Sequence, residues 1–370
     1  MIRILAAILL IVGFSASLFA DEQRSRLSQL LSADADERFA RATEPRAFSF
    51  PADHGPHPEF RNEWWYFTGN LDDDRDNRFG FELTVFRFSL SPENVESDSA
   101  WRTNQVYIAH LAVTDAAGES FSVAQRYSRG AAGLAGAEEN AQRIWIDDWT
   151  VSRDNDDRWS LRAADESFGI ALDLVPLRDP VLNGEQGLST KSAEPGNASY
   201  YYSLTRLDTS GTLQIGDQVL DVNGLAWMDR EWSTSALGSE QVGWDWFALQ
   251  FDDGSDLMVY QLRNRDGAAA PYSSGTWAGA DGSIVQLQAE DIEIEVLDDW
   301  QSPRGGTYPA RWNLRIPRVK LDVVVEPVIA DQELITTVRY WEGAVDVSGS
   351  RRGQTSAGRG YVELTGYDDS

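Results

Sequence analysis

The side chains in this sequence with a clear capacity for chemistry are carboxylates and histidines set among aromatic residues. Histidine occurs only at His54, His57 and His110. Two of these fall in HGPHPEFRNEWWYFTG, residues 54 to 69. EWWYFTG predicts a strand with Glu63, Trp65 and Phe67 on one face and Trp64, Tyr66 and Thr68 on the other. A carboxylate among aromatics must be paired, hydrogen-bonded or raised in pKa. His57 and Glu63 are therefore candidate polar contacts, and Trp65 and Tyr66 candidate walls, of a ligand cavity. Plain core packing is the competing reading. Pro56 breaks the loop between the two histidines, so they form no helical metal pair, and no metal site is expected. His110 alternates with apolar residues in QVYIAHLAV, the pattern of a core histidine or of a buried catalytic one.

Two later segments carry sharper candidates for an acid. In GLAWMDREWS, Asp229, Arg230 and Glu231 sit between Trp227 and Trp232, as a structural ion pair or a reactive group. In GWDWFALQF, Asp245 shares a strand face with Phe247, Leu249 and Phe251. An acid on an apolar stripe has its pKa raised and becomes a proton donor at neutral pH, unless it is a paired structural residue. Trp232, Trp246, Tyr260 and Tyr340 complete the candidate ligand contacts. Glu342 shares a strand face with Tyr340, and Glu363 with Tyr361 and Tyr367, which reads as barrel-closing hydrogen bonding or as part of a site.

Holding such groups in place requires strands. FGFELTVFRF, QVYIAHLAV, FGIALDLV, YYYSLTRL, LDVVVEP and GYVELTG alternate with period two, separated by turn signals such as DDDRDN and DDG. Many short strands predict an all-β chain built as sandwiches or barrels. The 370 residues suggest two domains. A divide near DTSGTLQIGDQ puts them at 45–220 and 221–370, after a leader or short helix at 21–44. Residues 1–20 read as a cleaved signal peptide, with Arg3, an apolar run from Ile4 to Phe19, and Ala20 before Asp21. A periplasmic or secreted protein is expected, with an uncleaved membrane anchor as the alternative.

The formal charge is −27, and Lys191 and Lys320 are the only lysines. Such a surface repels phosphate backbones, so nucleic acid is not an expected partner. The absence of cysteine excludes disulfides and thiolate chemistry. No P-loop, GxGxxG or GxSxG string is present, and no cofactor is expected.

FPADHGPHPEFRNEWWYFTGNL, AHLAVTD, WMDREWS, GWDWFALQ, YWEGAV and GYVELTGY together resemble the AttH/CrtC family of AttH-like secreted proteins and carotenoid 1,2-hydratases. The resemblance spans about Phe48 to Tyr367 and implies two packed lipocalin-like β-barrels with an apolar ligand cavity within or between them. The hydratases carry a DHNW-like string where this chain has Asp229, Arg230, Glu231 and Trp232. Arg230 in place of the histidine argues against carotenoid hydration and favours the AttH-like branch.

Three functions follow from these residues. One is acid-assisted hydration, isomerisation or cyclisation of a C=C bond in an apolar lipid, isoprenoid or polyene, with Asp245, Asp229 or His110 as the reactive group. Another is non-catalytic carriage of a lipid, alone or as an accessory to a membrane transport system. The third, a hydrolase, lacks a recognisable nucleophile and base.

Overall fold

The computed structural model describes residues 37–93, 98–235, 237–238 and 240–367. The predicted signal peptide and most of the predicted leader lie outside them. Residues 37–44 are irregular and tied to the body, with Ala40 N donating to Glu59 O at 3.0 Å and Ala42 fully buried.

The alternating segments form two antiparallel sheets, of thirteen and ten strands among the described residues. The first begins at Asn62–Asp73 and ends at Gln218–Ser233 in sequence; these two strands pair with each other. Its margins, Ala135–Ala137 and Ile144–Ile146 at one side and Gln105–Asp115 and Ser120–Arg129 at the other, curl together into a nearly closed barrel. The second runs from Gln241–Phe251 to Gln354–Thr365 and forms a half-barrel. The step from one sheet to the other thus falls within 234–240. Gly216 and Asp217, inside the divide expected from sequence, instead form the hairpin turn between Ala198–Ile215 and Gln218–Ser233, the two longest strands. That stretch is polar because its outer face is exposed, with Asp208 and Ser210 open to solvent.

Strand periodicity separates two environments. In Asn62–Asp73, Trp65, Phe67 and Leu71 point into the first barrel and are fully buried there with Trp159, Leu161 and Met228. In the second, Phe247, Leu249 and Phe251 pack on Trp312, Val345 and Val362. The opposite faces of the two sheets, carrying Tyr66, Tyr201 and Trp227 from one and Trp246, Tyr260 and Tyr361 from the other, pack against each other. These central strands are therefore buried on both sides, which explains their near-continuous apolar composition.

The contact between sheets is uneven. At one end the residues are small. A Cβ placed on Gly80 would lie 2.7 Å from Ala344 Cβ, so the backbones approach directly, and Asn70 Nδ2 donates to Gly360 O at 3.0 Å. Arg78 to Asp346, Arg359 to Asp72 and Arg206 to Asp256 tie the same region by ion pairs. Toward the other end, indole and phenol rings stand between the sheets, and a cleft opens among them.

Candidate active site

The cleft is walled by Trp64, Tyr66, Tyr201, Trp244, Trp246 and Tyr260. Five charged side chains also face it: Lys191, Asp229, Glu231, Glu342 and Glu363. The four acids arrive there through strand parity, and Lys191 directly follows the short strand Leu188–Thr190. Asp229 and Glu231 alternate with Arg230 and Trp232, which point into the barrel. Glu342 and Glu363 are directly opposed on neighbouring antiparallel strands, a placement that brings side chains to within about 5 Å at Cβ.

Asp229 is the most completely held of the acids. Ser203 Oγ donates to Oδ1 at 2.5 Å, Trp227 Nε1 to Oδ1 at 2.7 Å, and the Tyr201 hydroxyl to Oδ2. Trp246 Nε1 donates in turn to Tyr201 at 3.1 Å, linking the two sheets. Burial pushes the Asp229 carboxyl up to about 7 despite the three hydrogen bonds that favour its ionised form. Burial likewise pushes Glu363 up to about 8, with Trp244 opposing the rise and the charges of Asp229 and Glu231 adding to it. Glu342 is raised well above the ordinary range by burial, then by repulsion from Glu363 and Glu82. Tyr66 donates to Glu342 Oε2, while Oε1 has no hydrogen-bond partner.

Lys191 is committed locally. Its Nζ lies 3.2 Å from Glu231 Oε1 and 3.0 Å from Ser189 Oγ, and it stands 4.0 Å from the centre of the Tyr260 ring. Burial would favour its neutral form, but Glu231 and Tyr260 together outweigh this and raise its pKa, so it is a fixed ammonium.

The candidates named from sequence separate into four places. Asp229, Tyr66, Trp246 and Tyr260 line the cleft. His57, Glu63, Trp65 and Trp232 do not; they close one end of the first barrel. Arg87 and Arg230 both pair with Glu63, His57 N donates to it at 3.1 Å, and the His57 ring stacks on Trp232 at 3.8 Å. Burial would raise the Glu63 carboxyl, but the two guanidiniums hold it well below the usual carboxylate range, so it is a structural anion and no proton donor. The strand carrying Glu63 is a wall of the cleft, but through its other face.

Asp245 is also turned away from the cleft. It points into the second half-barrel, where Arg263 Nε donates to it at 2.9 Å and the Tyr367 hydroxyl at 2.9 Å. The apolar stripe that made it a candidate is the half-barrel core. His110 and Tyr340 lie behind the cleft, with His110 Nδ1 2.5 Å from the Tyr340 hydroxyl. Gln125 Nε2 donates to His110 Nε2 at 2.8 Å, so Nδ1 carries the proton. Burial drives this histidine down to about 3, which keeps it neutral.

Lys191, Tyr201 and Trp244 were not singled out from the sequence, which left Glu231, Glu342 and Glu363 open between a structural role and a site. The parity of WMDREWS groups Glu231 with Asp229, and that of GWDWF groups Trp244 with Trp246, so this signal was present. Among the described residues no three His, Asp or Glu side chains are arranged to hold a metal ion.

The family model for AttH-like proteins matches residues 41–367. A solved structure from Nitrosomonas europaea, provisionally named AttH, is 34% identical, with a TM-score of 0.80 over 89% of this chain and 100% of that one. Kievitone hydratase from Nectria haematococca is 16% identical, with a TM-score of 0.64 over 90% of this chain and 97% of its own. CghA, solved with Sch210972, is 13% identical, with a TM-score of 0.55 over 92% and 98% of the two chains. The last two share the fold. Among curated proteins none matches in sequence. With the AttH-like model covering both sheets and the cleft between them, this chain belongs to the AttH-like family.

Proposed function

We propose that the cleft binds an apolar, unsaturated small molecule of isoprenoid or polyene type and protonates one of its carbon–carbon double bonds, with Asp229 as the acid. The observation that carries this reading is a set of acids, Asp229, Glu342 and Glu363, facing an aromatic cleft whose one ammonium, Lys191, is already paired with Glu231. Acids in that setting hold a proton up to near neutral pH, where an exposed carboxyl would not. Proton transfer from the Asp229 carboxyl to one alkene carbon leaves a carbocation at the other and a carboxylate on the protein. The indole and phenol faces stabilise the cation, and Tyr201, Ser203 and Trp227 stabilise the new carboxylate. Addition of water with loss of its proton gives hydration. Loss of a different carbon-bound proton gives isomerisation, and attack by a second double bond gives cyclisation.

The hydration named for kievitone hydratase, which shares this fold, supports the first of these outcomes. A simple lipid carrier requires only an apolar lining, and the carboxyls make that reading the weaker one. The expected setting is the periplasm or the exterior, supported by Arg3, the apolar run after it and the Ala20–Asp21 junction.

The test is deuterium transfer. Geraniol, farnesol and a linear polyene are incubated with the protein in D2O, and carbon-bound deuterium is read by mass spectrometry. The protein is expected to label at least one of them, and Asp229→Asn to lower the rate by about 100-fold or more. A ligand that quenches the cleft tryptophans yet returns without deuterium from the unaltered protein overturns the catalytic reading.

A further inference from the structure

The charge pattern of the cleft carries a second consequence. Counting side chains that face it, one cation stands against four acids, and the cation is already engaged. Asp229 has its acceptor positions filled by Tyr201, Ser203 and Trp227. Glu342 does not. It is fully buried, one oxygen takes the Tyr66 hydroxyl, and Oε1 has no partner. Glu82, fully buried behind it, repeats the pattern: Thr84 donates to one oxygen and the other has none. An orphaned buried carboxyl oxygen is costly unless something completes it. Among the described residues no Arg, Lys or His forms an ion pair with Glu82, Glu342 or Glu363, so the chain leaves that role open.

The surrounding surface suits one kind of completion. Trp64, Trp244, Trp246 and Tyr260 present aromatic rings to the same space. Aromatic faces beside carboxyls form a setting that attracts organic ammonium ions through the ring quadrupole and through Coulomb attraction. An anionic head group finds no free cation there, because Lys191 is already paired with Glu231. A neutral alcohol would gain a hydrogen bond but neither of the other terms.

We infer that this cleft takes lipophilic ammonium ions, with the Glu342 and Glu363 pair giving up a proton to become the counter-charge as the cation enters and the indole rings as the cage. The inference rests on the cleft being the ligand site proposed above, and not on its catalysing any reaction. It also extends that reading, because a stable ammonium ion resembles in charge and place the carbocation that protonation would create. Such ions would act as occupants in their own right and as competitors of the unsaturated ligand.

The test uses three probes with the same ten-carbon chain, each below its micellar concentration: decyltrimethylammonium, decan-1-ol and decanoate. Binding to the whole chain is measured by isothermal titration and by quenching of tryptophan fluorescence. The expected order is ammonium tightest, alcohol weaker by about tenfold or more, and carboxylate weakest. Glu342→Gln and Glu363→Gln retain the side-chain shape and remove the proton whose release supplies the counter-charge. Each is expected to narrow the gap between ammonium and alcohol by about tenfold while leaving alcohol binding in place. Equal affinity for ammonium and alcohol in the unaltered protein overturns the inference, as does a gap unchanged in both variants. Should Glu342→Gln not fold, Glu363→Gln and the three-probe comparison still decide. Failure of deuterium transfer with the ammonium preference intact would remove the catalytic reading and leave this one, and the reverse result would do the opposite.

Discussion

Tyr66 donates its hydroxyl hydrogen to Glu342 Oε2 at 2.8 Å, and that bond crosses from the first sheet to the second. Both residues are buried, Glu342 completely. The bond fastens the two sheets at the edge of the cleft and supplies the one hydrogen bond that favours the ionised form of Glu342.

Tyr66→Phe should therefore destabilise the chain by about 1–3 kcal/mol, because a second oxygen of Glu342 is left without a partner. It should also make Glu342 harder to ionise. Urea unfolding of the variant and of the double variant Tyr66→Phe with Glu342→Gln measures the coupling. Additive effects in that cycle would show that the bond contributes nothing.

The division of each strand into two faces was legible in the sequence. Alternation separates Trp65 from Tyr66, and Asp229 from Arg230. What alternation does not encode is which face meets a barrel core and which meets the other sheet, since both are aromatic. Glu63 and Asp245 illustrate this: each is an acid on an apolar stripe, and each stripe is a barrel interior. Their partners, Arg87 and Arg230 for one and Arg263 for the other, come from distant positions. Parity also fails at a strand end. Tyr367 was grouped with Tyr361, but the strand stops at Thr365, and Gly366, at φ 74°, turns the chain so that Tyr367 reaches Asp245. The cleft itself arises from the register that sets Glu342 against Glu363 and from sheet-on-sheet packing, both long-range.

The raised carboxyls make a prediction about pH. Asp229, at about 7, and Glu363, at about 8, hold protons in the folded chain that the unfolded chain releases near pH 4. Their contribution to stability is complete below about pH 4 and is lost as pH rises through about 7 and 8. Glu63 works in the opposite sense: its contribution is present above the unfolded carboxyl value near pH 4 and is lost as pH falls from there through its own depressed value. Between pH 5 and pH 9 stability should therefore fall, by up to about 1.4 kcal/mol per pH unit for each proton retained. Asp229→Asn and Glu363→Gln should each flatten that fall. Urea midpoints taken at each pH check it, and identical slopes in all three proteins would locate the dependence elsewhere.

Asp245→Asn separates the core acid from the cleft acid. Arg263 would lose its charge partner, and stability should drop by about 1–3 kcal/mol. Ligand affinity and deuterium transfer should stay within about twofold, because the side chain faces the half-barrel core and not the cleft. Loss of transfer in a variant whose affinity and fold are unchanged would return Asp245 to the mechanism.

Glu63→Gln tests the ion cluster at the end of the first barrel. Glu63, Arg87 and Arg230 are all essentially inaccessible to water, and the single carboxylate sits between two guanidiniums. The remaining partners of the guanidiniums are mostly backbone carbonyls: those of His57 and Phe60 for Arg87, at 2.9 and 2.8 Å, and that of Gly55 for Arg230, at 2.6 Å. Carbonyl dipoles do not replace the missing charge, so two buried cations would be left facing each other. Breaking a buried pair in this way costs about 3–5 kcal/mol, enough to unfold a large share of a marginally stable chain. The loss should be seen as a lowered urea midpoint, and also as exposure of the backbone around 54–60, which these side chains help anchor to the barrel rim alongside the Trp65 Nε1 bond to His54 O. Hydrogen exchange there should quicken, while exchange in Gln241–Phe251, in the other sheet, should change less. A variant with unchanged midpoint and unchanged exchange at 54–60 would mean that the arginines are held by the backbone alone.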